Sequence, residues 1–203
     1  MLLRDWNVLC WNVRGLNASE KHLALGNAIR SSGCDVICLQ ESKMPSFDID
    51  MLKVLCPRRF DKFAFIPSQG ASGGIVTIWN SSMFTGDVFL SEPFALGIEF
   101  TSTQSAHRWK LVNVYGPCQG EQRDKFTQWL FDIDIPPSED WLILGDFNYI
   151  RSPNNRSKPG GNVHDMFVFN DFIRQQMLTE IPIKGRSYTW SNMQQHALLK
   201  QLD

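Results

Sequence analysis

The run Gly145-Asp146-Phe147-Asn148 directly follows the apolar stretch Trp141-Leu142-Ile143-Leu144. The stretch reads as a buried strand, and the glycine lets the backbone turn where that strand ends. A carboxylate and a carboxamide then stand two residues apart at a sheet edge, where open α/β-type sites usually lie. A carboxylate there can position or deprotonate water, and an amide can donate to a phosphoryl oxygen. The alternative is an ordinary turn, because Asp and Asn are common turn residues.

Three more segments follow the same plan of an apolar strand ending in a polar residue. They are Trp11-Asn12-Val13-Arg14-Gly15-Leu16, Leu39-Gln40-Glu41-Ser42 and Asn113-Val114-Tyr115-Gly116-Pro117. In this order, the four strand ends resemble the endonuclease/exonuclease/phosphatase superfamily, also called DNase I-like. With Tyr188-Thr189-Trp190-Ser191-Asn192 and the final Gln201-Leu202-Asp203, the wording is most similar to the endonuclease domain of plant LINE-type retrotransposons. The resemblance runs from Trp6 to the last residue.

That resemblance implies an α+β fold, a four-layer αββα sandwich of two packed mixed sheets flanked by helices. It would form one domain over residues 1–203, incomplete at its C-terminal end. It implies phosphodiester hydrolysis, with DNA as the partner and Mg²⁺ or Mn²⁺ as the cofactor. Such chemistry needs a metal to neutralise oxygen charge, a positioned water and donors for the transition state. Oxygen ligands suit a hard ion held by few carboxylates and several waters.

Residue by residue, Glu41 matches the principal metal ligand, with Asn12 assisting. Asp146 matches the residue that orients or deprotonates the attacking water, and Asn148 the amide on the phosphate. Tyr115 matches a hydroxyl that stabilises the transition state. Arg14, Thr189 and Trp190 match nucleic-acid contacts, and Arg156 and Lys158 stand in a loop where phosphates could be met. Asp203 matches an aspartate that orients a histidine in a downstream Ser-Asp-His segment. This sequence stops before such a segment, and none of His22, His107, His164 and His196 falls in a matching motif. Structural alternatives stand beside these roles: Tyr115 as a core tyrosine, Asn12 as a turn cap, and Trp190 as a packing residue. A catalytically silent remnant with weak nucleic-acid binding, or a phosphatase of the inositol phosphate or sphingomyelin type, would share the same core.

Composition sets the frame. With 203 residues, 43% of them hydrophobic, the chain can bury a substantial core. Its formal net charge of −1 offers no global attraction for nucleic acid. Basic residues cluster locally instead: Arg58, Arg59 and Lys62; Arg151, Arg156 and Lys158; Lys184 and Arg186. Each cluster has a plain alternative as a solvated surface. Five cysteines without paired spacing read as buried small apolar residues in a reducing compartment. Cys34 and Cys38 would share one strand face about 13 Å apart, too far for a disulfide. No run suits a membrane helix and the start lacks a signal-peptide pattern, so a soluble intracellular protein is expected, nuclear by the resemblance.

The elements that must carry these residues follow from pattern. Asn7 to Val13 reads as a central strand. A helix capped by Ser19 shows Leu25, Ala28 and Ile29 on one face and stops at Gly33. Strands are expected near 35–39, 63–66, 74–79, 84–90, 94–100, 108–115 and 186–190. Helical spacing marks Gln119 to Phe131, and again Met166, Phe169, Ile173 and Met177. His164-Asp165 reads as a helix start, and 152–163 as a loop. Asp35 to Glu41 and Asp140 to Asp146 repeat one plan, an acid, four apolar residues and a closing acid after an intervening residue. Two sheets related by a pseudo-two-fold axis would explain that repeat, and chance would too.

Overall fold

A computed structural model describes residues 6–70, 72–185 and 187–202 of the chain. The chain divides into two compact units, Met1–Tyr115 with Pro137–Gly145, and Gly116–Pro136 with Asp146–Asp203. Both are assembled from interleaved segments, which is why no linker shows in the sequence.

In the first unit, β1 (Val8–Asn12), β2 (Val36–Gln40), β3 (Lys62–Gln69) and β4 (Ser72–Trp79) make a sheet ordered β1-β2-β4-β3. β1 and β2 run parallel, whereas β2–β4 and β4–β3 are antiparallel. A second sheet takes the order β5-β6-β7-β8, from β5 (Phe84–Glu92), β6 (Ala95–Ser102), β7 (Arg108–Tyr115) and β8 (Trp141–Asp146). Period-two alternation along β2 shows how the layers form. Ile37 and Leu39 join Leu25 and Ile29 of α1 (Ser19–Ser32) and Leu52 and Leu55 of α2 (Ile49–Leu55). Val36 and Cys38 face the other way, into a cluster with Trp79, Phe84, Ile98, Phe100, Trp109 and Leu111. Sheet therefore packs on sheet, with helices outside the first. Burying each of these large side chains is worth about 1.5–3 kcal/mol.

The second unit carries α3 (Glu121–Asp132), α4 (Val163–Gln175) and a hairpin of β9 (Trp190–Ser191) and β10 (Leu199–Lys200). Its centre is aromatic: Tyr149 stacks on Phe169 at 5.3 Å, and Phe147 lies 5.1 Å from the same ring. Among the described residues, two four-stranded sheets, the small β9–β10 hairpin and four α-helices are consistent with an α+β sandwich of the DNase I-like kind.

Several sequence expectations are corrected. Among the described residues β1 pairs on one side only and so is an edge strand, with Trp11 38% exposed. Ala18, not Ser19, occupies the N-cap of α1, with no side-chain cap, while Gly33 closes the helix in the left-handed conformation at φ 62° as expected. α2 was unforeseen; Asp48 caps it by accepting from the amides of Asp50 and Met51. Phe172, rather than Met177, completes the buried face of α4, which ends before Met177. The late strand is only Trp190–Ser191, and Arg186 lies outside the described residues. Cys34 and Cys38 lie in different apolar clusters, since β2 begins only at Val36. Cys10 and Cys118 are exposed rather than buried, although all five cysteines are free thiols. Among the described residues no helix is long and apolar enough to cross a membrane.

Candidate active site

In the first unit, the parallel pair β1–β2 places Asn12 opposite Gln40. The two chains stay side by side past the strand ends, through Val13 N to Gln40 O at 3.0 Å, Gly15 N to Glu41 O at 2.6 Å and Leu16 N to Ser42 O at 2.8 Å. The Asn12 Oδ1 accepts the amide of Arg14 at 3.1 Å, which turns the chain sharply. Arg14, Glu41 and Lys43 all adopt positive φ, at 52°, 54° and 55°. Such backbone costs about 1–3 kcal/mol per residue, and its concentration in one corner points to function.

The Glu41 carboxylate is mostly buried, 19% exposed, and its Oε1 takes an ion pair from Lys43 Nζ at 3.0 Å. Lys21 Nζ donates to the Arg14 carbonyl at 2.6 Å, so a second ammonium stands at the same corner. Behind it lies a buried polar network. Gln40 Nε2 donates to Asn113 Oδ1 at 2.6 Å, and Asn113 Nδ2 donates to Val76 O and Thr77 Oγ1, each at 3.1 Å. Tyr115, the last residue of β7, is half-buried against Ile66, Ile75 and Leu96, and its amide donates to Phe94 O at 2.9 Å.

The second unit holds the other predicted acid and amide. Asp146, 6% exposed, accepts the Asn148 amide on Oδ1 at 3.0 Å. Asn148 has φ 54°, a region that asparagine tolerates well. The turn is the one made at Asn12–Arg14, a side-chain oxygen on the amide two residues ahead followed by a left-handed residue. Asn148 Nδ2 donates to Gly116 O at 2.8 Å, and Gly116 N donates to Asp146 O at 2.8 Å. A Cβ on Gly116 would lie 2.3 Å from the Phe147 carbonyl, so only glycine permits this approach. The glycine of the Gly-Asp-Phe-Asn run acts otherwise than expected. β8 continues through Gly145 to Asp146, and Gly145 serves close packing, its would-be Cβ falling 2.0 Å from the Val114 carbonyl.

The residues matched to nucleic-acid contacts in this unit gather at the β9–β10 hairpin. Arg156 bridges Lys200, Ser157 N donates to Leu199 O at 3.0 Å, and Thr189 N donates to Lys200 O at 2.9 Å. Lys200 Nζ sits 5.1 Å from the centre of the Trp190 ring, a cation–π contact. Lys158 Nζ reaches the His196 carbonyl. Asp203 lies outside the described residues.

Thus Asn12, Arg14 and Glu41 share one corner, Asp146 and Asn148 share one turn, and Arg156 and Lys158 meet Thr189 and Trp190 at the β9–β10 hairpin. Sequence reasoning missed Lys21, Lys43, Lys200 and the Gln40–Asn113 pair. Only Lys43 had a local signal, two residues after Glu41. Of the histidines, His22 bonds the Leu16 carbonyl, His107 pairs with Asp140 at 3.2 Å, His164 opens α4 as expected, and the His196 carbonyl accepts from Lys158.

Comparison with known proteins places the fold. The model of the Endonuclease/Exonuclease/phosphatase family matches residues 9–195. Among solved structures, AP endonuclease LMAP from Leishmania major is similar, with TM-score 0.65 and 17% identity over 84% of this chain. This chain spans 66% of that one, just under two thirds of its length. The endonuclease domain of TRAS1, a telomere-specific non-LTR retrotransposon, gives TM-score 0.65 and 12% identity over 98% of this chain and 83% of its own. An AP endonuclease from Archaeoglobus fulgidus gives TM-score 0.64 and 14% identity, covering 84% and 71% of the two chains. At these identities the structures speak for the fold, while the family match covers most of the sequence. The chain belongs to the endonuclease/exonuclease/phosphatase family.

Proposed function

We propose that this chain is a divalent-metal-dependent phosphodiesterase that nicks DNA, of the retroelement endonuclease type. One observation carries the reading: among the described residues, four of the seven non-glycine residues with positive φ, Arg14, Glu41, Lys43 and Asn148, lie at or just after the strand ends matched to chemistry. The Val13-Arg14-Gly15-Leu16 and Tyr188-Thr189-Trp190-Ser191-Asn192 wording supports the retroelement branch, as does the near-complete overlap with the TRAS1 endonuclease domain.

The donors fit a hard, largely hydrated cation. Among the described residues no group of three His, Cys, Asp or Glu side chains could cage a metal. Mg²⁺ or Mn²⁺, which retain several waters and need one or two carboxylates, suit that set better than zinc. Glu41, which also pairs with Lys43, would hold the ion, with Asn12 assisting. The bound ion would supply charge neutralisation at the phosphate oxygens. Asp146 orients the attacking water, its carboxylate fixed by the Asn148 amide. Asn148 has two amide protons and spends one on Gly116, leaving the other for a phosphoryl oxygen. Tyr115 stabilises the transition state through its hydroxyl. Thr189, Trp190, Arg156, Lys158 and Arg14 bind the nucleic-acid backbone.

Nicking of supercoiled plasmid in Mg²⁺ tests this, with Glu41→Ala and Asp146→Asn as controls. Activity lowered by a factor of about 10² or more in each variant supports the reading. Equal cleavage by all three chains would remove it. That none of the four histidines falls in a motif matched to chemistry favours a second reading, a nucleic-acid binder with little hydrolytic power. It predicts salt-dependent binding of DNA without Glu41-dependent nicking.

A further inference from the structure

Arg123 lies on the first turn of α3 with its side chain 14% exposed. Its Nη1 donates to the Pro117 carbonyl at 2.8 Å. Nη2 donates to Asp165 Oδ2 at 2.7 Å and, at a longer 3.4 Å, to the carbonyl of Asn148. The guanidinium lies 4.0 Å from the centre of the Tyr149 ring, and the Tyr149 hydroxyl is 2.6 Å from Thr127 Oγ1. One planar fork therefore grips the residue after Gly116 and the backbone of Asn148 itself. These are the two sides of the Asn148 Nδ2 to Gly116 O bond.

We propose that Arg123 is a positioning residue that sets the orientation of the Asn148 side-chain amide by clamping the Pro117 and Asn148 carbonyls. The inference rests on the reading of Asp146–Asn148 as the phosphate-facing turn. The physical logic is one of rigidity. Asn148 occupies a left-handed conformation that its own amide bonds hold at one end. A guanidinium anchored by Asp165 and stacked on Tyr149 holds the other end in a fixed plane. An ammonium has no such fork, so lysine at this position would keep the Asp165 pair and lose one carbonyl. Misplacement of a reacting group by about 1 Å can cost about 10²-fold in rate.

Two measurements on the full chain separate the proposal from the nuclease reading. In ¹⁵N-labelled protein the Asn148 side-chain amide is identified by its loss in Asn148→Ser. In Arg123→Met its protons are expected to move in shift and exchange with water about tenfold faster or more. An unchanged signal overturns the proposal whether or not the chain cleaves DNA. In the nicking assay, Asn148→Ala and Arg123→Met are each expected to lower kcat, and the double variant to be no worse than Asn148→Ala. Loss in Asn148→Ala with full activity in Arg123→Met overturns the proposal. No loss in Asn148→Ala removes the reading of the turn, and the amide signal still decides Arg123. Should Arg123→Met fail to fold, Arg123→Lys takes its place, with a smaller change of the same signs expected and none overturning the idea.

Discussion

Asn113 joins the two sheets through its side chain, and replacing it with alanine removes three hydrogen bonds at once. Asn113 is fully buried and touches Gln40, Val76 and Thr77. Each such bond is worth about 1 kcal/mol net, and a buried partner left unsatisfied adds about 1–3 kcal/mol. The Gln40 amide would keep only its two 3.4 Å contacts, to Cys10 Sγ and the Cys38 carbonyl. Asn113→Ala is therefore expected to destabilise the chain by about 3–5 kcal/mol. Gln40→Ala should cost less, because Asn113 would retain its two donations. In the double variant the shared bond is counted once, so the total should fall short of the sum by about 1–2 kcal/mol. Urea unfolding followed by tryptophan fluorescence measures all four chains. A loss below about 0.5 kcal/mol in Asn113→Ala, or strict additivity in the double variant, would refute the reasoning.

Gly145→Ala should prevent folding or cost more than about 4 kcal/mol by thermal unfolding, since its Cβ would fall 2.0 Å from rigid backbone. Gly33→Ala, with nothing within 4 Å of the added atom, should cost only about 1 kcal/mol for its left-handed φ. Asp48→Ala should remove about 1 kcal/mol by uncapping α2, and Asp48→Asn much less, by the same melts. A thiol reagent near neutral pH should label Cys10 and Cys118 quickly and the three buried cysteines only after denaturation. Burial, reinforced by the nearby Cys34 thiol, pushes the Cys56 thiol up to about 12. Its folded value exceeds its unfolded one, so this contribution to stability is complete below the ordinary thiol range and is lost as pH rises toward about 12. Alkaline unfolding curves should therefore flatten in Cys56→Val.

What the sequence made legible was local. The apolar run before Glu41 became β2, with all five residues buried, and the run before Asp146 became β8. Turn chemistry after Asn12 and Asp146 was equally readable, because Asn and Asp accept amides two residues on. The α+β sandwich followed from strand count and from the resemblance. α2 escaped notice because seven residues give too few turns for a helical period, and its Leu52 and Leu55 are fixed by tertiary packing. The edge position of β1 depends on which strands pair, not on its own residues. The Gln40–Asn113 bond spans 73 positions, and no pattern within either segment announces it. Arg123 was hidden likewise, since its partners lie up to 42 residues away.

The interleaving of the two units has a consequence for how the molecule is made. The chain leaves the first unit after Tyr115, returns at Pro137, and leaves again after Gly145. A ribosome that has delivered seven strands still withholds the eighth until all of α3 has emerged. The second sheet thus waits with β7 paired to β6 but lacking β8 on its other side while a piece of the other unit is synthesised. No single cut by a protease or a cloning boundary yields either unit whole.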